Sequence, residues 1–231
     1  MTSWVPQLKT AKNKIVDFNQ KNPTFLVGFF YIYDKIFEKG FIMTKPNMII
    51  FMGGQGSGKG TFANLLLKQQ QSFDYVEAGN ILRHMPSDSE IYKKIMRGEL
   101  LTDDELFPII SNHIKTDKDL ILDGFPRTIG QAEWLIKNYA DKFDIKIIFL
   151  NISEEKMLAH IKNRIKEGGN RPDDNDENAV RKRIAAFKST TMPAIEWLRQ
   201  QPSVIFFDIK LPTDDININF DYITKHLKAE I

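Results

Sequence analysis

Four short apolar runs recur along the chain and predict buried β-strands. They cover residues 48–52 (MIIFM), 120–122 (LIL), 145–150 (IKIIFL) and 204–207 (VIFF). Between them the apolar residues fall at helical spacing, as in residues 62–68 (FANLLLK). Buried strands that alternate with helices favour an α/β fold in which a doubly wound parallel sheet carries helices on both faces. Ligands of such folds bind at the carboxyl ends of the strands.

The stretch between the first two runs is predicted to be helical. No strong strand pattern occurs between Tyr75 and Asp119, whereas residues 80–84, 90–96 and 103–114 each fit a short helix. Thr102 is expected to cap the last of these, with Glu105 as its capping-box partner.

Composition narrows the class of protein. The 231 residues are 42% hydrophobic and 27% charged, which is ordinary for a globular chain with one substantial core. The 32 basic and 30 acidic side chains leave a net charge of +2, which gives no indication of nucleic-acid binding. The chain has no cysteine, so it cannot form disulfides or a thiolate zinc site. This composition suits a reducing compartment, and we expect the cytoplasm.

The first 46 residues precede the first predicted strand and are interpreted as an N-terminal extension. They are mildly basic but contain no arginine, unlike a typical mitochondrial transit peptide. The apolar run at residues 22–33 ends at Asp34, short of the roughly 20 residues that cross a bilayer. We expect a helix that packs on the main domain. A membrane-surface or organellar targeting role stays open as the alternative.

A glycine-rich segment, residues 53–61 (GGQGSGKGT), joins the first predicted strand to a predicted helix. Glycines let successive backbone N–H groups turn inward, and the helix N-terminus adds partial positive charge, so this segment predicts a phosphate cradle. Lys59 supplies a full charge. The hydroxyl that usually follows the lysine in such loops comes one residue late, at Thr61.

A second motif, residues 123–127 (DGFPR), follows the strand predicted at residues 120–122. A parallel sheet would place it beside the phosphate cradle. The Asp123 carboxylate could hold Mg²⁺, commonly through water, and Arg127 could grip phosphate oxygens.

Four motifs together resemble those of adenylate kinases. They are GGQGSGKGT at residues 53–61, AGNILR at 78–83, DGFPRTIGQA at 123–132, and RPDD at 171–174 followed by RKR at 181–183. The resemblance covers residues 47–231. It also accounts for the hydroxyl at Thr61, one residue later than usual, because adenylate kinases commonly have this loop ending. It implies a P-loop NTPase fold with a five-stranded parallel sheet, a nucleoside monophosphate (NMP)-binding insertion at about 77–106 and a short lid at about 164–174. It also implies a monomer that transfers phosphate from MgATP to an NMP.

The resemblance assigns residues to four groups, which partly overlap. For ATP it implies Gly56, Ser57, Gly58, Lys59, Gly60, Thr61, His160 and Arg164, and for the metal Asp123. For the acceptor it implies Ala78, Arg83, Leu100, Leu101, Gly124, Phe125, Arg127, Gln131, Arg171 and Arg183. The catalytic set is Lys59, Arg127, Arg164, Arg171, Arg183, Asp173 and Asp174, with the two carboxylates orienting the lid arginines.

This arginine-rich set suits phosphoryl transfer. The transferring group spreads negative charge over its oxygens, and forked guanidinium groups stabilise that charge. No general base is needed, since a phosphate monoester with a second pKa of about 6 is mostly dianionic at neutral pH. The lid would exclude water. It is too short to carry a structural zinc site, and without cysteine no zinc is expected.

Ala78 and Gln131 favour different acceptor nucleotides. Ala78 stands where UMP/CMP kinases commonly have alanine and adenylate kinases a threonine, whereas Gln131 stands where adenylate kinases read adenine. We predict AMP, with a UMP/CMP kinase or a broad-specificity NMP kinase as the alternative and a non-catalytic nucleotide-binding module as a remote one. A guanine-reading N-K-x-D motif is absent from the sequence. Gln131 could also be an exposed polar residue, and His160 could stack on adenine or merely face solvent.

Overall fold

The computed structural model describes residues 45–96, 101–168 and 177–228. The predicted N-terminal extension lies outside these ranges up to residue 44, as do Leu100 and three lid residues, Arg171, Asp173 and Asp174. Among the described helices, none has the length and apolar character needed to cross a bilayer.

Five parallel strands form a single sheet, which confirms the predicted α/β fold. In space their order is β2-β3-β1-β4-β5, so that β1 lies at the centre between β3 and β4. All four strands predicted from apolar runs are present. The strands are β1 (Asn47–Met52), β2 (Asp74–Glu77), β3 (Leu120–Asp123), β4 (Asp144–Leu150) and β5 (Val204–Ile209).

Strand β2 corrects one prediction. The sequence pattern gives no strong strand after Tyr75, yet β2 extends to Glu77 and pairs in parallel with β3. Of its four residues only Val76 is buried, because β2 lies at one edge of the sheet. An edge strand with one buried side chain leaves no apolar run in the sequence, so the pattern did not reveal it.

Helices cover both faces of the sheet, and alternate residues of β1 enter two separate hydrophobic clusters. Met48 and Ile50 belong to one cluster, whereas Ile49 and Phe51 belong to the other. The helices are α1 (Lys59–Gln69), α2 (Ala78–Arg83), α3 (Glu90–Met96), α4 (Asp103–His113), α5 (Ile129–Tyr139), α6 (Glu154–Lys166), α7 (Glu177–Ala186), a π-helical turn (Phe187–Thr191), α8 (Met192–Arg199) and α9 (Ile216–Lys228).

The predicted capping box at the start of α4 is confirmed. The Thr102 hydroxyl accepts a hydrogen bond from the Glu105 main-chain N–H at 3.4 Å, and the Glu105 carboxylate accepts one from the Thr102 N–H at 3.1 Å. Two N–H groups that the helix leaves without partners are thereby satisfied, which fixes where α4 begins.

The strand register brings the chemical motifs together. Phe51 of β1 and Glu77 of β2 both lie level with Asp123 of β3. The glycine-rich loop, α2 and the DGFPR loop therefore leave the sheet from three neighbouring strands, at the same carboxyl edge. This is the edge at which the parallel fold places its ligands.

Candidate active site

The glycine-rich loop forms an open cradle at the start of α1. Gly58 is the N-cap of α1 with φ of 93°, and no side chain caps the helix there. Gly56 has φ of 81°, and a Cβ on it would lie 2.5 Å from the Met157 carbonyl oxygen. Both positions need glycine, and the uncapped N-terminus of α1 directs N–H groups into the loop, which suits an anion.

Lys59 reaches back over this loop. Its Nζ donates to the carbonyl oxygens of Gly53 at 2.8 Å and Gly54 at 2.9 Å. Ser57 is only 1% exposed, and its Oγ has no hydrogen-bond partner in the described structure. A buried hydroxyl without a partner lacks stabilisation that a ligand oxygen could supply. The loop therefore fits a polyphosphate.

Helix α6 packs against the cradle from one side. His160 lies half-buried, and its ring Nδ1 is 2.8 Å from the Gly56 carbonyl oxygen, so that this nitrogen donates the hydrogen bond. The alternative in which His160 merely faces solvent is wrong. Arg164, one turn further along α6, is also half-buried. The helix thus places a ring and a guanidinium on the loop side of the fold.

Asp123 lies at the end of β3 and is 7% exposed. The Tyr75 hydroxyl donates to its Oδ2 at 3.4 Å, and a Cβ on Gly60 would lie 3.7 Å from the same oxygen. The carboxylate therefore lies beside the first turn of α1. A buried carboxylate next to a phosphate cradle provides the oxygen chemistry that Mg²⁺ prefers, with substrate phosphates as its other ligands.

No group of three or more histidine, cysteine, aspartate or glutamate residues that could hold a metal occurs in residues 45–96, 101–168 and 177–228. A magnesium ion at Asp123 would therefore be held jointly by this one carboxylate, water and substrate, which is how Mg²⁺ is usually held in kinases.

The DGFPR loop is held by a chain of hydrogen bonds. Arg127 Nε donates to the Gly124 carbonyl oxygen at 2.8 Å, and the Arg127 main-chain N–H donates to Gln131 Oε1 at 2.8 Å. Gln131 Nε2 in turn donates to Asp103 Oδ1 at 3.3 Å. Gln131 is 7% exposed, so the alternative of an exposed polar residue is wrong.

Three guanidinium groups converge beside this loop. Burial lowers the pKa of Arg127; the Asp123 charge opposes this shift, and the positive charges of Arg183 and Arg83 lower the pKa further. The Arg127 side chain is nevertheless exposed by surface area, so protein atoms surround its guanidinium without closing it off from solvent. Arginine is a strongly basic side chain, so positive charge accumulates beside this loop. The mutual repulsion of these guanidinium groups makes this place favourable for a phosphate dianion.

Three of the predicted acceptor residues are largely inside the protein. Ala78 is 3% and Phe125 is 2% exposed, and Leu101 packs half-buried against the same hydrophobic cluster. The Phe125 ring makes edge contacts with Phe107 and Trp134. Residues 78 and 125 could therefore meet a ligand mainly through their backbone, as could Gly124, whose φ is 81°.

Sequence reasoning missed several contacts. The sequence did not predict the hydrogen bond from the Tyr75 hydroxyl to Asp123 or the one from the Gln131 amide to Asp103. Glu77 was not considered either, although its Oε1 lies 3.1 Å from Arg83 Nη2. For the Tyr75–Asp123 bond, the signal would have been the pairing of β2 with β3, and the sequence pattern did not predict β2.

Comparison with known proteins agrees with this geometry. A model of the adenylate kinase family matches residues 51–203. An adenylate kinase of Agrobacterium fabrum is 34% identical over 196 residues, which cover 78% of this chain and 99% of that protein. One from Phocaeicola vulgatus is 33% identical over 165 residues, or 67% of this chain and 85% of that protein. Mouse adenylate kinase isoenzyme 5 is 28% identical over 194 residues, or 77% of this chain and 33% of that protein. This chain therefore belongs to the adenylate kinase family.

Proposed function

We propose that this protein transfers the γ-phosphoryl group of MgATP to AMP, reversibly, so that two ADP molecules form. Its family makes it a phosphotransferase that acts on nucleotides. The observation that carries the proposal is that the phosphate cradle, α2 with Arg83 and the DGFPR loop with Arg127 leave neighbouring strands at one carboxyl edge. The charge of Arg183, from α7, also acts on Arg127. A donor and an acceptor phosphate can be held side by side there, which removes much of the entropic barrier to transfer.

On the donor side, Lys59 and the amides of residues 56–61 would hold the ATP phosphates. In the described structure the Lys59 amine binds two loop carbonyls, so it is already placed over the cradle. Arg164 and His160 would contact ATP from α6. Mg²⁺ at Asp123 would neutralise phosphate charge and so favour transfer.

On the acceptor side, Arg83 and Arg127 would hold the AMP phosphate through forked, charge-assisted hydrogen bonds. The Gln131 amide would read adenine. Its hydrogen bonds to Arg127 and Asp103 leave one N–H and one oxygen lone pair, which match the acceptor N1 and donor N6 on the adenine edge.

The acceptor phosphate oxygen attacks in line, and no side chain has to remove a proton because the phosphate arrives as a dianion. Arg183 would stabilise the transferring group, since its positive charge already acts on Arg127 and lowers the pKa of that residue. We assign Arg171, with Asp173 and Asp174 orienting the arginines, to the same task; these residues lie outside the described ranges.

The test is the rate of ADP formation from MgATP and AMP in two variants. Lys59→Ala and Arg127→Ala should each lower kcat by about a hundredfold or more, because each removes charge that stabilises the transition state. Lys68→Ala is the matched control, since Lys68 is an exposed lysine in the last turn of the same helix α1. Near-normal rates from both folded site variants would refute the proposal.

A further inference from the structure

Two carboxylates end neighbouring strands at this site, and the proposed reaction uses only one of them. Glu77 of β2 and Asp123 of β3 are paired in the parallel register. Asp123 is the proposed metal ligand, whereas Glu77 has no part in the transfer. Its Oε1 lies 3.1 Å from Nη2 of Arg83, the proposed acceptor-phosphate ligand. Within this ion pair the Glu77 side chain is the less exposed partner, at 27% against 56% for the Arg83 side chain.

The charges around Arg127 explain what the Glu77 carboxylate does before an acceptor nucleotide binds. Burial lowers the pKa of Arg127 most, the Asp123 carboxylate opposes this shift, and the positive charges of Arg183 and Arg83 lower the pKa further. Like charges gathered in this way destabilise the folded state unless negative groups lie among them. Glu77 lies against one of these guanidinium groups and therefore relieves part of the repulsion.

The same carboxylate opposes an incoming phosphate. It occupies an N–H of Arg83 that a phosphate oxygen would otherwise accept from, and its negative charge repels a dianion bound at the same guanidinium. A group that stabilises the free state and disfavours the bound state reduces ligand affinity.

We propose that Glu77 is an internal counter-charge that holds Arg83 in the free protein and that the phosphate of the acceptor nucleotide must displace. It sets the affinity for the acceptor, a phosphate monoester dianion, without taking part in the chemistry. This inference rests on the proposed function, because it takes Arg83 as an acceptor ligand.

A positioning role for Glu77 makes the opposite prediction. If the carboxylate only oriented Arg83 for the phosphate, its removal would weaken acceptor binding. A counter-charge instead weakens acceptor binding while it is present. The sign of the change in KM on neutralising Glu77 therefore separates the two roles.

The experiment measures KM for AMP at saturating MgATP in Glu77→Gln, which removes the charge and keeps the size. We expect KM for AMP to fall roughly two- to fivefold, in line with the energies of partly exposed ion pairs. KM for MgATP should not change. Added salt should shrink the difference from the wild type, because it screens the charge. An unchanged or raised KM for AMP would overturn the proposal.

Three further variants complete the test. Glu196→Gln is the matched control, since Glu196 pairs with Arg199 at 3.2 Å on α8, and it should leave KM for AMP unchanged. Glu77→Asp keeps the charge on a shorter side chain, and its KM should lie between those of the wild type and Glu77→Gln. If Glu77→Gln does not fold, a KM for AMP in Glu77→Asp that is no lower than that of the wild type overturns the inference.

Arg83→Ala separates this inference from the proposed function. If Arg83→Ala leaves KM for AMP unchanged, the acceptor site of the proposed function is wrong. If Arg83→Ala raises KM for AMP but Glu77→Gln does not lower it, only the counter-charge role of Glu77 is wrong.

Discussion

The side-chain carbonyl of Gln131 accepts a hydrogen bond from the main-chain N–H of Arg127 at 2.8 Å. The residue that would read the acceptor base therefore anchors the backbone of the residue that would hold the acceptor phosphate. Gln131 is buried, and its Nε2 is bound to Asp103 on α4. In the proposed function, base recognition and phosphate binding would thus be coupled through one short loop.

Replacing Gln131 by methionine should both destabilise the protein and weaken binding of the acceptor nucleotide. Gln131→Met keeps the volume but removes both hydrogen bonds, and leaves the Arg127 N–H without its partner. We expect the free energy of unfolding to fall by about 1–3 kcal/mol, with a higher KM for AMP and an unchanged KM for MgATP. Urea unfolding and initial rates measure these effects.

Gln201→Met is the control for that variant. Gln201 follows the end of α8 and donates to the Trp197 carbonyl oxygen at 2.9 Å, so its loss should not alter KM for AMP. Equal effects of the two variants on KM, or none from Gln131→Met, would contradict the coupling.

Ala78→Thr tests how the acceptor base is chosen. Ala78 is 3% exposed within a hydrophobic cluster, so the larger side chain should lower the free energy of unfolding by about 1–3 kcal/mol. If this position helps to choose the base, kcat/KM for AMP relative to UMP and CMP should rise. An unchanged ratio in a folded variant would exclude Ala78 from base selection.

Asp123→Asn tests the proposed magnesium ligand. The variant should lower kcat about a hundredfold or more and raise the Mg²⁺ concentration needed for half-maximal rate, because a neutral amide is a weaker ligand. In the wild type, chelation of Mg²⁺ should abolish transfer.

The control for this variant is Asp208→Asn. Asp208 is a carboxylate of β5 that pairs with Arg199 at 2.8 Å. Its removal should leave the Mg²⁺ dependence unchanged. A Mg²⁺ titration of Asp123→Asn that overlays the wild type would remove Asp123 from the metal site.

The capping box at α4 should make stability depend on pH. The hydrogen bond from Lys94 lowers the pKa of Glu105 below its ordinary 4.5, and the Thr102 backbone N–H adds to this. A lowered folded pKa stabilises the protein above the ordinary value, and this contribution is lost as the pH falls through the folded pKa. Glu105→Gln should therefore destabilise the protein at pH 7 and much less at pH 3. Urea unfolding at several pH values measures the difference, and a constant difference would contradict this assignment.

The sequence predicted the parts of the fold that local patterns encode. Apolar runs predicted β1, β3, β4 and β5, and Thr102 with Glu105 predicted the start of α4, because burial and capping depend on near neighbours in the chain. The edge strand β2 was missed because only Val76 in it is buried. Its absence from the prediction also hid the register that pairs Glu77 with Asp123.

The site was predicted at the level of loops but not of contacts. The cradle and the DGFPR loop carry recognisable residue types, and their sharing of one edge follows from the parallel sheet. The bonds of Tyr75 to Asp123 and Asp103 to Gln131 join segments 48 and 28 residues apart. Such contacts are set by tertiary packing, on which the local pattern carries no information.

The most direct test of the account compares initial rates with MgATP against AMP, UMP, CMP and GMP in parallel. We predict the highest kcat/KM for AMP, with ADP as the only nucleotide product. A higher kcat/KM for UMP or CMP, or no transfer to any of the four, would contradict it.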